Sequence, residues 1–210
     1  MRITQLTPGT GNFHCGACIR DLALTKALRD LGHDAALMPL YLPLIADEIP
    51  EGIETEHVHF GGINAYLQHK SALFRHTPRF VDNMFDAPWL LRKAAKRAGM
   101  TDAHQLGEMT HSMLKGEHGH QSKEIRKLAD ALAGEHRPDV LCLSNVLLVG
   151  MAKKLKHTLG VPVVCTLQGE DTFIDSLPDP WRKQSWELIA ECCKQVDYFF
   201  PVSRYHGDLM

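Results

Sequence analysis

Apolar and polar positions along the chain follow two patterns, one typical of buried strands and one typical of amphipathic helices. The apolar run Ile3 to Leu6 predicts a first strand, and a helical pattern from Ala17 to Leu31 ends at Gly32. A second strand is predicted at Ala35 to Tyr41. We expect the helix to pack on the sheet through its apolar stripe, which consists of Leu24, Leu28 and Leu31, widened by Ile19, Leu22 and Ala23.

From Ile125 onward, strand-like and helical segments alternate regularly. The apolar run DVLCLSN is continuous, as expected for a parallel strand that is covered on both faces, VPVVCTLQGED predicts another buried strand, and DYFFPVSRYHGDLM predicts a further strand followed by the start of a helix. The connections between the segments are short, which favours a mostly parallel sheet. The pattern therefore predicts an α/β fold, a Rossmann-like three-layer domain that occupies residues 1–210 as a single unit.

The stretch GTGNFHCGACIRDL follows the first predicted strand and leads into the first helix. Its glycines are Gly9, Gly11 and Gly16, and a strand, a glycine-rich turn and a helix in this order offer free backbone N–H groups to a phosphate or a sugar. A loop that merely joins the strand to the helix is the alternative. The spacing GxGxxxxG, without an acid after the second strand, argues against a nicotinamide cofactor, and no Gly-Lys-Ser/Thr follows to make a P-loop.

Polar residues also follow the other predicted strands. Ligands of open α/β sheets bind at the carboxyl ends of the strands, so these residues are candidates for sugar or phosphate binding. The alternative is that exposed strand ends are polar in any protein, with Glu170 and Asp171 capping a turn instead of orienting a hydroxyl or acting as a base. The candidate substrate-binding residues are Gly11, Asn12, Gly16, Ser144, Asn145, Gln168, Gly169, Glu170, Asp171, Ser203 and Arg204.

Composition narrows the class of protein. The chain has 210 residues, 44% of them apolar and 23% charged, which is enough for one sizeable core, and its net charge of −2 gives no reason to expect nucleic acid. No apolar run is long enough to span a bilayer, and the first residues resemble a buried strand more than a signal peptide. Cys142 and Cys165 lie within predicted strands, so we expect reduced thiols and a cytoplasmic protein.

Two groups of residues raise the question of metal or redox chemistry. Cys15 and Cys18 form a C-x-x-C at a helix start, which suits a redox couple or half of a zinc site, but no second C-x-x-C completes such a site. We expect a reduced pair that lines the floor of a cleft. We expect neither a metal nor a cofactor, because the four neighbouring histidines lack other ligands at the usual spacings: His104, His111, His118 and His120.

A predicted helix after Pro88 has one basic face and one apolar face. The basic face contains Arg92, Lys93, Lys96 and Arg97. Such a face is often a solvated surface above a core, and it is also suited to peripheral contact with an anionic membrane.

Five segments occur in an order that resembles a known family. They are the glycine loop with its helix, LRDLGHDAALMPLY, PDVLCLSN, VPVVCTLQGED and VDYFFPVSRYHGDLM. Together they resemble the N-terminal half of a family 4 glycosyltransferase of the GT-B fold. The segments HCGACIRDLALTKALRDLGHD, HFGGINAYLQHK and TLQGED look like a bacterial subgroup of that family, and the resemblance covers essentially the whole chain.

The resemblance implies a retaining transfer of a sugar from a nucleotide-diphosphate sugar to a sugar or lipid-linked acceptor. In such enzymes the N-terminal domain mainly binds the acceptor, and the stretch Gly11 to Gly16 would approach the donor phosphates or the acceptor. A histidine common at the end of the third strand is replaced by Ser144 or Asn145. Where many members have T-x-H-G, this chain has Thr166-Leu167-Gln168-Gly169, which leaves Asn145 and Asp171 as catalytic candidates.

The resemblance also implies a donor-binding C-terminal domain, which would follow Met210. Without it we expect no transfer by this chain, and we expect an exposed apolar patch that drives formation of a homodimer. The expected location is the cytoplasm, with the inner membrane face as a peripheral site. The alternative function is a non-catalytic ligand-binding or interaction module of the same fold.

Overall fold

The computed structural model describes residues 1–9, 15–44, 46, 49–55, 58, 60–78, 90, 103–134 and 137–210. Within these residues, five parallel strands form one sheet in the order β2-β1-β3-β4-β5. The predicted α/β, Rossmann-like fold with a mostly parallel sheet is thereby confirmed. The strands are β1 (Arg2–Thr7), β2 (Asp34–Pro39), β3 (Val140–Leu143), β4 (Val163–Leu167) and β5 (Tyr198–Pro201).

Helices connect the strands and flank the sheet. The α-helices of the described residues are α1 (Gly16–Asp30), α2 (Gly62–Lys70), α3 (Ala103–Leu114), α4 (Ser122–Leu132), α5 (Ala152–Leu159), α6 (Glu170–Asp175), α7 (Trp181–Cys193) and α8 (Arg204–Leu209). Short 3₁₀ helices span Ala72–Arg75, Gly116–His118 and Val146–Met151. The basic helix predicted around Arg92 and Lys96 lies outside the described residues.

The main hydrophobic core lies on one face of the sheet. Leu6, Leu143 and Cys165 are neighbours in register on β1, β3 and β4, and each is fully buried. Helices α4, α5 and α7 cover this face with apolar side chains, which include Leu128, Leu155 and Ile189. Alternation along each strand therefore sends its other set of side chains to the opposite face.

Helix α1 packs on that opposite face, against β1 and β2. The predicted stripe is only partly right, because Leu22 is buried whereas Leu31 is 74% exposed and Ile19 is 47% exposed. The facing positions of β1 include the polar side chains of Gln5 and Thr7, so the helix buries a mixed surface instead of its most apolar one. The buried residues of α1 are Cys18, Asp21, Leu22 and Thr25.

Burial on the α1 side of the sheet decreases steadily towards β5. Gln5, Cys142, Val164 and Tyr198 form one row across β1, β3, β4 and β5. Gln5 is 1% exposed, Cys142 and Val164 are partly buried, and Tyr198 is 67% exposed. Phe200, two residues along the same strand, is 56% exposed. The β5 end of this face is therefore an open aromatic surface.

We expect the chain to self-associate through this surface, because neighbouring exposed aromatic side chains on an edge strand favour docking of a second copy. Phe200→Ser should shift the equilibrium towards monomer, as measured by sedimentation velocity over a range of concentrations. Leu73→Ser is the matched control, since Leu73 is 73% exposed but lies in the Ala72–Arg75 helix. A wild-type chain that stays monomeric at every concentration would contradict the prediction.

Candidate functional site

The strand order places a topological switch point between β1 and β3. From β1 the chain moves to β2 on one side, and it later returns to add β3 on the other side of β1. The connections after the two neighbouring strands therefore diverge, which leaves a crevice outside their carboxyl ends. The segments that follow β1, β3, β4 and β5 all begin at this edge of the sheet.

The glycine loop begins at this crevice, and its glycines have different roles. Gly9 has a φ of +77°, and a Cβ built on it would lie 1.7 Å from the carbonyl oxygen of Leu42. Gly16 is the exposed first residue of α1, and a Cβ there would meet nothing within 4 Å. The fold thus requires a glycine at Gly9 but leaves open space at Gly16. The candidates Gly11 and Asn12 lie outside the described residues.

The four helices that begin at this edge differ in which acceptors their first backbone N–H groups have. Asn145 accepts from the amide of Leu147 at 3.1 Å, and Ser203 accepts from the amide of His206 at 3.1 Å. Helix α6 begins with two acidic residues, Glu170 and Asp171. Helix α1 has no side-chain cap and no acidic residue in its first turn. Among these four helix starts, that of α1 has neither a side-chain cap nor an acidic side chain within the described residues.

Glu170 is a structural carboxylate. It is 6% exposed, and its two oxygens accept hydrogen bonds from the amide of Val146 at 3.0 Å and that of Gln168 at 2.6 Å. These bonds join the loop after β3 to the loop after β4. Of the roles open to Glu170 from the sequence, the structure favours the structural one, since both oxygens are engaged by the backbone.

The carbonyl oxygen of Ser144 connects the same loops at the end of β3. It accepts hydrogen bonds from Gln168 Nε2 at 2.8 Å, Thr166 Oγ1 at 2.5 Å and an Arg20 guanidinium nitrogen at 3.1 Å. The Gln168 side chain is thus held at the switch point by the backbone of the neighbouring strand. Ser144 itself is fully buried.

Sequence analysis missed the buried ion pair between Arg20 and Asp21. Asp21 is fully buried on α1 and pairs with Arg20, which also reaches Ser144. Burial raises the pKa of Asp21, while Ser144 and Arg20 act in the opposite direction. The sequence did contain an indication of this pair, because two adjacent charged residues interrupt an apolar helix that was expected to pack on a sheet.

His206 was also missed, and it links the ends of β4 and β5. Its Nε2 accepts a hydrogen bond from the amide of Gly169 at 2.9 Å, which places the proton of a neutral imidazole on Nδ1. Nδ1 lies 3.9 Å from an oxygen of Asp171, whose side chain is 22% exposed. Arg204, next in the chain to the Ser203 cap, is exposed. No sequence pattern distinguished His206 from the other histidines.

Cys15 and Cys18 lie at the start of α1, beside the end of β1. Cys18 is 1% exposed and accepts a hydrogen bond from the Thr7 hydroxyl at 3.3 Å, while Cys15 is half-buried. The hydrogen bond between the two thiols lowers the pKa of Cys15 to about 6 and raises that of Cys18. All six cysteines are free thiols. In the part of the chain that the structure describes, no cluster of His, Cys, Asp and Glu residues is arranged to hold a metal ion.

Comparison with protein families, with curated proteins and with solved structures gave no match to this chain. None of the described helices is both long and apolar enough to cross a membrane.

Proposed function

We propose that the chain is the acceptor-side domain of a retaining glycosyltransferase, which uses a nucleotide-diphosphate sugar as donor and a sugar or a lipid-linked sugar as acceptor. The observation that carries this proposal is the uncapped N-terminus of α1 at the switch point between β1 and β3. Exposed Gly16 follows the N-cap Cys15, with no acid and no side-chain cap to occupy the helix start. The family resemblance of the sequence supports the same function.

The distribution of charge at this edge favours a phosphate at α1 and not elsewhere. A helix N-terminus attracts anions through its free N–H groups and its dipole. The start of α6 already holds the carboxylates of Glu170 and Asp171, which would repel a second anion. A donor diphosphate, or the phosphate of a lipid-linked acceptor, would therefore bind at Gly16, while sugar hydroxyls would face Gln168 and Asp171.

Asp171 is the stronger of the two catalytic candidates. The side-chain oxygen of Asn145 is engaged as a helix cap, whereas Asp171 is partly exposed and faces His206. A partly exposed carboxylate next to an imidazole suits the orientation or deprotonation of an acceptor hydroxyl. Transfer also requires the donor to be held in a closed cleft, for which the proposal invokes a second domain.

The decisive experiment is ligand binding by the 210-residue chain and its Gly16→Val variant. Calorimetric titration with nucleoside diphosphates, nucleotide sugars and oligosaccharide acceptors should detect weak binding by the wild-type chain. Gly16→Val should weaken phosphate-dependent binding at least about tenfold, because a branched side chain blocks approach to the backbone. The melting temperature should stay unchanged, since the added atoms would meet open space.

Ala23→Val is the matched control, because it places the same valine side chain at an exposed position of the same helix. Ala23→Val should bind like the wild type. Multiple turnover by the isolated chain would contradict the acceptor-side assignment, since it would require a complete active site within these residues. Equal binding by Gly16→Val and Ala23→Val would place the ligand elsewhere.

One observation favours the alternative, a non-catalytic binding or interaction module. Several side-chain acceptors at the strand ends are already engaged within the protein: those of Asn145, Glu170 and Ser203. Failure of the chain to bind any nucleotide, nucleotide sugar or oligosaccharide would favour this module. For the proposed enzyme we retain a cytoplasmic location, with peripheral contact at the inner membrane face through the basic segment around Arg92.

A further inference from the structure

The thiols of Cys15 and Cys18 are arranged as a pair with two distinct environments. Cys15 is the N-cap of α1 and Cys18 lies three residues further on, within the first turn, in a cluster against which Cys15 packs. Cys15 is half-buried at the exposed start of the helix, whereas Cys18 is 1% exposed beneath it and contacts the hydroxyl of Thr7. One sulfur is therefore accessible to a reagent from solvent, and its partner is accessible mainly to the first sulfur.

We propose that Cys15 and Cys18 form a redox-active dithiol, a covalent site for small aliphatic disulfides in which Cys15 attacks and Cys18 resolves. This activity requires no sugar, although Cys15 adjoins the proposed phosphate site at Gly16. Both side chains lie in the first turn of the helix, three residues apart, so closing the bond between their sulfurs requires no unfolding of the rest of α1. The position of Cys15 supports the assignment of roles, since it is the N-cap of α1 and a helix N-terminus stabilises a thiolate.

The chemistry is a pair of thiol–disulfide exchanges. The thiolate of Cys15 attacks one sulfur of the external disulfide, the bond between its two sulfurs breaks, and one thiolate leaves and takes up a proton. Cys18 then attacks the sulfur of Cys15 in the mixed disulfide and expels the second thiolate, which receives the proton of Cys18. The dithiol is oxidised by two electrons to an intramolecular disulfide, and the external disulfide is reduced to two thiols.

The remaining cysteines provide an internal comparison. Burial raises the pKa of Cys142 to about 12, and it raises the pKa of Cys193 to about 11. At pH 7 the thiolate fraction of Cys15 then exceeds that of Cys193, and the lower nucleophilicity of the more acidic thiol offsets only part of that advantage. We expect Cys15 to react faster than Cys193.

The test is incubation of the reduced chain with glutathione disulfide at pH 7 in phosphate-free buffer, followed by acid quenching, alkylation and tryptic mass mapping. Cleavage after Arg2 and Arg20 releases residues 3–20, which contain Cys15 and Cys18 and no other cysteine. In the wild type this peptide should resist alkylation and lose the mass of two hydrogen atoms. Dithiothreitol should restore both thiols.

Variants separate the roles of the two cysteines. Cys18→Ser should accumulate a mixed disulfide between Cys15 and glutathione, whereas Cys15→Ser should leave Cys18 unmodified. The wild-type peptide map decides the proposal even if a variant misfolds. A peptide 3–20 that carries free thiols or only glutathione adducts, while a reference dithiol in the same buffer is fully oxidised, would overturn it. Faster reaction at Cys193 than at Cys15 would overturn it as well.

Discussion

Gly9→Ala is expected to lower the free energy of unfolding by about 4 kcal/mol, as measured by urea denaturation. Alanine is strained at a φ of +77°, and its Cβ would lie 1.7 Å from the carbonyl oxygen of Leu42. Neither atom can yield easily, because the amide of Leu42 donates to the carbonyl of Pro8 and thereby holds the two segments together. The end of β1 must then separate from the segment after β2.

Gly16→Ala is the control from the same loop. A Cβ at Gly16 meets nothing within 4 Å, so its effect on the free energy of unfolding should stay below about 1 kcal/mol. Equal destabilisation by the two substitutions would contradict the distinction between a glycine required by the fold and one at an open site.

Glu170→Ala is expected to lower the free energy of unfolding by about 3 kcal/mol, because it leaves the amides of Val146 and Gln168 without their acceptor in a buried environment. The loops after β3 and β4 would lose the carboxylate that joins them. Thermal and urea denaturation of the purified variant measure the loss.

Glu170→Gln should fall between the wild type and Glu170→Ala, since an amide oxygen replaces one of the two acceptors. Glu187→Ala, at an exposed position of α7, should change the free energy of unfolding by no more than about 0.5 kcal/mol. A Glu170→Ala variant as stable as Glu187→Ala would refute the structural role of this carboxylate.

Local sequence patterns predicted strands and helices well where residues close in the chain determine them. The strand predicted at Ile3 to Leu6 is β1, and the helix predicted to end at Gly32 is α1, whose end coincides with a glycine at a φ of +85°. The buried side of α1 was predicted only in part, because it depends on the facing strand and not on the helix. Gln5 and Thr7 present polar groups there, the Thr7 hydroxyl donates to Cys18, and the buried residues of the helix include Asp21 and Thr25.

The sequence predicted which residues lie at the candidate site, but not which of their polar atoms are hydrogen-bonded to each other. Parallel strands bring their carboxyl ends to one edge wherever they lie in the chain, so residues such as Asn145 and Gln168 could be chosen from sequence. Which of their atoms are already engaged depends on neighbours distant in the chain. The bond between Gln168 and Ser144 spans 24 residues, and that between Gly169 and His206 spans 37. Gly9 and Gly16 likewise look equivalent in the sequence. The structure distinguishes them, because Leu42 lies beside Gly9.

The central position of β1 in the sheet has a consequence for how the chain folds. The Arg2 amide reaches Asp139 across 137 residues, whereas Thr166 reaches Leu143 across 23. Closing the longer loop costs about 1.5 kcal/mol more in chain entropy, so we expect β3, β4 and β5 to assemble before β1 joins them. Pulsed hydrogen exchange should then show the amides that pair β1 with β3, such as that of Ser144 on the carbonyl of Leu6, protected last, and simultaneous protection of all strands would argue against this order. The crevice between β1 and β3 would exist only once folding is complete, so partly folded chains would lack the binding site altogether.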